Sequence, residues 1–155
     1  MTITNMETVT GILVVFGTSF LELWAGIPIG LALKLNPFIT GTASALGAIS
    51  ASVLVLSLGD NLRKKFFKWR YGGKKDLKKG KYYKIWNKYG IVGLGLLSPL
   101  FFGAPLGSGL GIVLGAEKRP LLIWMSIGII LWSILLTTAG YFGIMVFESA
   151  EFFNF

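Results

Sequence analysis

The sequence predicts an all-α integral membrane protein arranged as an inverted repeat. Each repeat is a re-entrant helical hairpin followed by a transmembrane helix, and a basic cytoplasmic linker joins the two. Three observations carry this expectation. There are long uncharged runs, one segment holds most of the cations, and proline and glycine crowd two of the four apolar segments. The boundaries follow from the same features. Residues 1–61 form the first repeat, with its hairpin over about 9–34 and its span over about 37–59. Residues 62–88 are the linker. Residues 89–155 form the second repeat, hairpin about 89–116 and span about 120–147.

The apolar elements come first. Charged residues make up 14% of the 155 and hydrophobic ones 54%, with a mean hydropathy of +0.69. A soluble domain carries about 25% charge. Leu35 to Gly59 is a run of 25 residues without a charge, and Tyr89 to Ala116 and Pro120 to Phe147 are runs of 28 each. All three exceed the ~20 residues that carry a helix across a bilayer core. The first apolar region, Thr8 to Leu33, is interrupted by Glu22 alone. No basic residue precedes Lys34, so the N-terminus does not read as a cleavable signal peptide. Cysteine and histidine are absent, which removes disulfides, thiol catalysis and the commonest zinc and proton-shuttle ligands. No nucleophile–base pair, metal cluster or phosphate loop is visible. The expectation is a protein that is not an enzyme and uses no metal and no cofactor.

The linker sets the orientation. Twelve of the fifteen Lys and Arg lie between Arg63 and Lys88, opposed there by Asp76 alone. A basic loop between membrane segments belongs on the cytoplasmic side. Its first part, "RKKFFKWRY" (Arg63 to Tyr71), interleaves Phe66, Phe67, Trp69 and Tyr71 with cations. Arg63, Lys64, Lys65, Lys68, Trp69 and Arg70 are therefore expected at the lipid interface, on anionic headgroups of a prokaryotic plasma membrane. The same composition suits nucleic acid. Its place between two membrane runs favours the lipid reading, so no nucleic acid is expected.

The two halves echo each other. "AGIPIG" (Ala25 to Gly30) aligns with "FGAPLG" (Phe102 to Gly107) at an offset of 77, Pro28 on Pro105 and Gly30 on Gly107. A second proline follows each motif, Pro37 and Pro120, and then a long apolar helix. Tyr89 to Ala116 holds eight glycines and two prolines, Pro99 and Pro105. Proline removes a backbone donor, and each glycine weakens a helix by about 1 kcal/mol, so one straight span built this way is poor. Irregular backbone at membrane depth persists where protein or a water-filled cavity satisfies it, so two half-helices meeting at a Pro/Gly tip resolve the conflict. Topology agrees. With the first and third segments re-entrant, Lys118 and Arg119 join the linker inside, and fourteen of the fifteen cations become cytoplasmic instead of twelve. The halves are then inverted, a common transporter plan.

"ELWAGIPIG" (Glu22 to Gly30), "GDN" (Gly59 to Asn61), "KYGIVGLGLLSP" (Lys88 to Pro99) and "APLGSGLG" (Ala104 to Gly111) resemble the small multidrug export family, related to the DedA-like membrane proteins. The likeness covers roughly Glu22 to Gly143. It implies two hairpins facing each other at the midplane and a transport or lipid-translocation activity. Trp24 stands where the family usually carries a basic residue, which removes one partner for Glu22.

An ionisable group at membrane depth costs ~3 kcal/mol on insertion scales and marks a function by default. Glu22 is the one acid inside an apolar segment and is suited to exchange a proton or a cationic substrate. With it, Pro28, Gly30, Ser98, Pro105, Gly107, Ser108 and Gly109 make up the expected substrate-binding set. Free amides and hydroxyls at the second break could hold an anionic headgroup. The face of Gly41, Ala45, Ala48 and Ser52 suits close helix contact, within the chain or in a dimer. The expected partners are membrane lipids, a small-molecule or lipid-linked substrate, and further copies in a homo-oligomer. The alternatives are a four-helix proton-coupled exporter of small cationic drugs and a non-transporting membrane assembly factor.

Overall fold

The computed structural model describes residues 2–71 and 89–152, with side chains over 6–59 and 89–146. Among the described residues there are six α-helices and no strand: α1 (Thr2–Leu21), α2 (Leu23–Ala32), α3 (Pro37–Tyr71), α4 (Ile91–Phe101), α5 (Gly103–Val113) and α6 (Lys118–Phe152). Two stretches are long and apolar enough to cross a membrane, Pro37–Gly59 in α3 and Lys118–Val146 in α6. Helices α2, α4 and α5 have 10, 11 and 11 residues. At 1.5 Å per residue each reaches ~15–17 Å, about half of a ~30 Å core. Residues 62–71 continue α3 as helix. The side chains of Arg63, Lys64, Lys65, Lys68, Trp69 and Arg70 lie outside the described residues, as do residues 72–88 altogether.

The short helices belong to two folded-back pairs, α2 with the 20-residue α1 and α4 with α5. The chain reverses at Glu22, whose backbone is extended at φ −141° and ψ 115°. Gly26 then lies against Ser19 and the Val15 carbonyl, Gly30 against Val15, and Gly11 against Leu35. This order of contacts is that of an antiparallel helix pair. The second reversal falls at Phe102 and Gly103, and Gly107 lies against Ser98. The first reversal is not at Pro28 and Gly30, whereas the second falls on Phe102 and Gly103, the first two residues of the "FGAPLG" element. Pro28 sits inside α2 with its ring exposed. Pro105 is the third residue of α5, in the first turn, where a missing N–H leaves no bond unmade.

Both pairs lead into their long helix through the same turn. Leu35 N–H donates to Gly30 O at 3.0 Å and Lys34 N–H to Leu31 O at 2.9 Å. In the second half Ala116 N–H donates to Gly111 O at 2.8 Å and Gly115 N–H to Ile112 O at 3.0 Å. These are two Schellman closures, each with its pivot residue in the left-handed region: Lys34 at φ 54° and Gly115 at φ 87°. Lys34 and Gly115 are 81 residues apart. So are the ends of α2 and α5, the starts of α3 and α6, and the glycines Gly26/Gly107 and Gly30/Gly111. The structural spacing of the halves is therefore 81, and the offset of 77 joined look-alike motifs at different places in the fold.

One apolar core gathers all of this. Leu23 and Ala104, each one residue past a reversal, are fully buried together with Ala48 of α3 and Met125 and Ile129 of α6. Ala48 is the middle residue of the Pro37–Gly59 stretch, and it shares this core with Leu23 and Ala104, the residues that follow the two reversals. The small-residue face of α3 is used within the chain: Ala48 and Ser52 are fully buried, and Gly41 lies against Thr137. Ser133 Oγ donates to Gly41 O and Trp132 Nε1 to Leu96 O, both at 2.7 Å, and so tie α6 to α3 and to α4.

The two turns make a prediction. A β-branched residue pays ~1–2 kcal/mol in left-handed backbone. Gly115→Val should lose about that much stability in detergent thermal unfolding, whereas Lys34→Gly should lose none.

Candidate functional site

The site is where the two reversals touch. A methyl group placed on Gly103 would stand 3.0 Å from the Leu21 carbonyl oxygen and 3.8 Å from Glu22 Cγ. Gly103 has φ +74°, a conformation that L side chains seldom adopt. Both conditions require glycine: the backbone path is left-handed, and the neighbouring carbonyl occupies the space of a side chain. Four helix ends meet here, the C-termini of α1 and α4 and the N-termini of α2 and α5. The amides opening a helix and the carbonyls closing it lack intrahelical partners. Some are satisfied locally, for Glu22 N–H donates to Thr18 O and Phe102 N–H to Ser98 O, both at 2.9 Å.

Glu22 occupies the N-cap position of α2, yet its side chain makes no capping hydrogen bond. It is half-buried, and among the described residues its carboxylate has no ion pair. Exposed apolar side chains flank the reversals in sequence: Leu21 and Trp24 on one, Phe101 and Phe102 on the other. The arrangement places one carboxylate, free of a capping bond, at the contact of the two reversals. No group of three or more Asp or Glu among the described residues could hold a metal ion.

The expected site residues divide into three groups. Glu22 and Pro105 lie at the meeting point, Pro105 two residues after Gly103. Ser98 and Gly107 are together, but as the buried seam of the second pair, where Ser98 Oγ donates to Met125 Sδ at 3.1 Å. Gly30 is buried against Thr40 at the far end of α2, Pro28 is exposed in mid-helix, and Ser108 and Gly109 lie further along α5. Gly103 and the Leu21 carbonyl were missed. The signal for Gly103 was present in "FFGAP", a glycine two residues before a proline that opens a helix.

This fold defines a helical membrane protein in which two broken helix pairs meet beside two long apolar helices. The match to known families agrees with that class. Residues 22–135 match the family model described as "Putative small multi-drug export protein", and the chain belongs to that family. No curated protein and no solved structure matches it.

Two glycines separate the site from its surroundings. Gly103→Ala should cost about 1–2 kcal/mol in thermal unfolding, from its backbone conformation. Gly109 has nothing within 4 Å of an added methyl. Gly109→Ala should therefore stabilise α5 by up to about 1 kcal/mol.

Proposed function

We propose that the protein is a small membrane transporter whose substrate passes between two re-entrant hairpins inserted from opposite sides of the bilayer. One observation carries this reading: the contact of Gly103 with Leu21 and Glu22, which joins the two tips at the only acid inside an apolar segment. Half-helices of 10–11 residues reach the middle of a bilayer and no further, so their ends need a partner there. The substrate is an amphipathic or lipid-linked molecule, and Glu22 exchanges a proton with it or with water during alternating exposure of the tips. The odd number of crossings per half makes the repeat inverted, with the basic segment on the cytoplasmic face of a prokaryotic plasma membrane and on anionic lipid. In this reading the transporter works as a homo-oligomer.

The rival four-helix exporter needs four plain spans; α1 with 20 residues has the length of one, but α2, α4 and α5 with 10, 11 and 11 do not favour it. The assembly-factor reading predicts that Glu22 is dispensable.

Two experiments test the proposal. The absence of native cysteine allows single labels at Asn5→Cys and Lys118→Cys, probed on intact cells with a membrane-impermeant maleimide. Residue 5 should label and residue 118 should not; the reverse pattern means four plain spans. In reconstituted vesicles Glu22→Gln should unfold like the parent and lose substrate flux at least about tenfold, as expected when an essential charge exchange is removed. Unchanged flux would leave the assembly-factor reading standing.

A further inference from the structure

A cleft lies at the open end of the α1–α2 pair, away from the Glu22 reversal. It encloses about 890 Å³ between the first half of α1 and the turn into α3. Gly11, Val14, Ile29 and Leu33 give it apolar walls, and it holds one acid, Glu7, and one base, Lys34. Both are exposed, and among the described residues they form no ion pair with each other.

The backbone at Lys34 sharpens the point. Its φ of 54° is the conformation that the second half gives to glycine, at Gly115. A lysine there carries a strain of order 1 kcal/mol, and such strain gathers at functional positions. The strained residue is the one that places the cation of the cleft.

We infer that this cleft binds a zwitterionic phospholipid, its phosphate on Lys34, its headgroup ammonium on Glu7, and one acyl chain along the wall of Val14 and Ile29. The pairing of charges decides among ligands. Free phosphate would leave Glu7 unpaired and the apolar wall uncovered. A purely anionic lipid would place its charge beside Glu7 with no ammonium to answer it. The inference rests on the membrane reading above, in which the cleft lies in the interface on the side of the N-terminus. Ten residues of α2 then separate it by ~15 Å from the tips, about half of a core.

The test uses a bimane fluorophore on Val14→Cys in the otherwise cysteine-free chain, reconstituted into liposomes. Phospholipids with brominated chains quench the label when they occupy the cleft. Phosphatidylethanolamine should quench about threefold more effectively than phosphatidylglycerol at equal mole fraction, the size expected of exposed ion pairs. Glu7→Gln and Lys34→Gln, with unaltered thermal unfolding, should each abolish the preference. No preference, a preference for phosphatidylglycerol, or a preference that survives both substitutions overturns the inference. So does an equal preference at Leu46→Cys, a control site in the groove between α3 and α6. If residue 5 labels from the inside while the preference holds, the transport topology falls and the lipid site stands.

Discussion

Unpaired backbone is the constraint on which the rest of this structure depends. A short helix leaves the four amides of its first turn and the four carbonyls of its last without intrahelical partners, a large share of its backbone, and lipid offers none. The chain breaks two helices and brings both breaks to one place, beside Ala48 in the middle of a long apolar helix. There each broken end faces other protein. Gly103 makes the approach possible, since a side chain at that position would press on the Leu21 carbonyl. Without that contact, the carbonyls that close one helix and the amides that open the next would face the surroundings in each pair.

Close packing has to hold the pairs in place, because helices within a bilayer gain little from hydrophobic burial against each other. The recurring device is a glycine against a hydroxyl. Gly26 meets Ser19, Gly107 meets Ser98, Gly30 meets Thr40 and Gly41 meets Thr137. Small partners let backbones approach, and the gain is dispersion over many atoms. The hydroxyls also have a cost. Among the described residues, Ser19, Thr40, Ser44, Ser52, Ser108 and Thr137 are buried with no hydrogen-bond partner. A buried donor left unmade costs about 1–3 kcal/mol. A scaffold that never moved would be better served by alanine at these points. Seams lined with hydroxyls are cheaper to wet than seams of alanine, as the proposed alternating exposure of the tips would require.

Much of the fold was legible in composition. The 14% charge and the runs of 25 and 28 uncharged residues lead to long apolar helices, and the glycines of 89–116 lead to short ones. The position of each break was not legible. Proline is the loudest local signal, and it pointed to Pro28, yet α2 continues through that residue while the chain turns six residues earlier. Nothing in local propensity makes Glu22 extended; the packing of Gly26 on Ser19 does. The offset of 77 failed for the same reason, since it matched proline to proline, whereas the turn at Lys34 and Gly115 fixes 81. Glu22 stood out in the sequence because a lone acid in an apolar run is costly wherever it lands. Gly103 did not, because its importance lies in what it touches. Lys34 was equally silent, for only its structural counterpart Gly115 reveals the left-handed turn.

The identity of residue 22 bears on whether the meeting point is a joint or a site. An N-cap is best filled by Ser, Thr, Asp or Asn, whose short side chains reach the open amides of the first turn. Glutamate is one methylene too long for that geometry, and here it makes no such bond. A joint would therefore select another residue at this position and would gain about 1 kcal/mol by doing so. The carboxylate is instead left unspent where two tips meet, half-buried and without an ion pair among the described residues. An uncapped acid at such a place keeps its hydrogen-bonding capacity open, which is what the proposed exchange of a proton or a substrate charge requires. The same carboxylate in a fixed salt bridge or a capping bond could not do this.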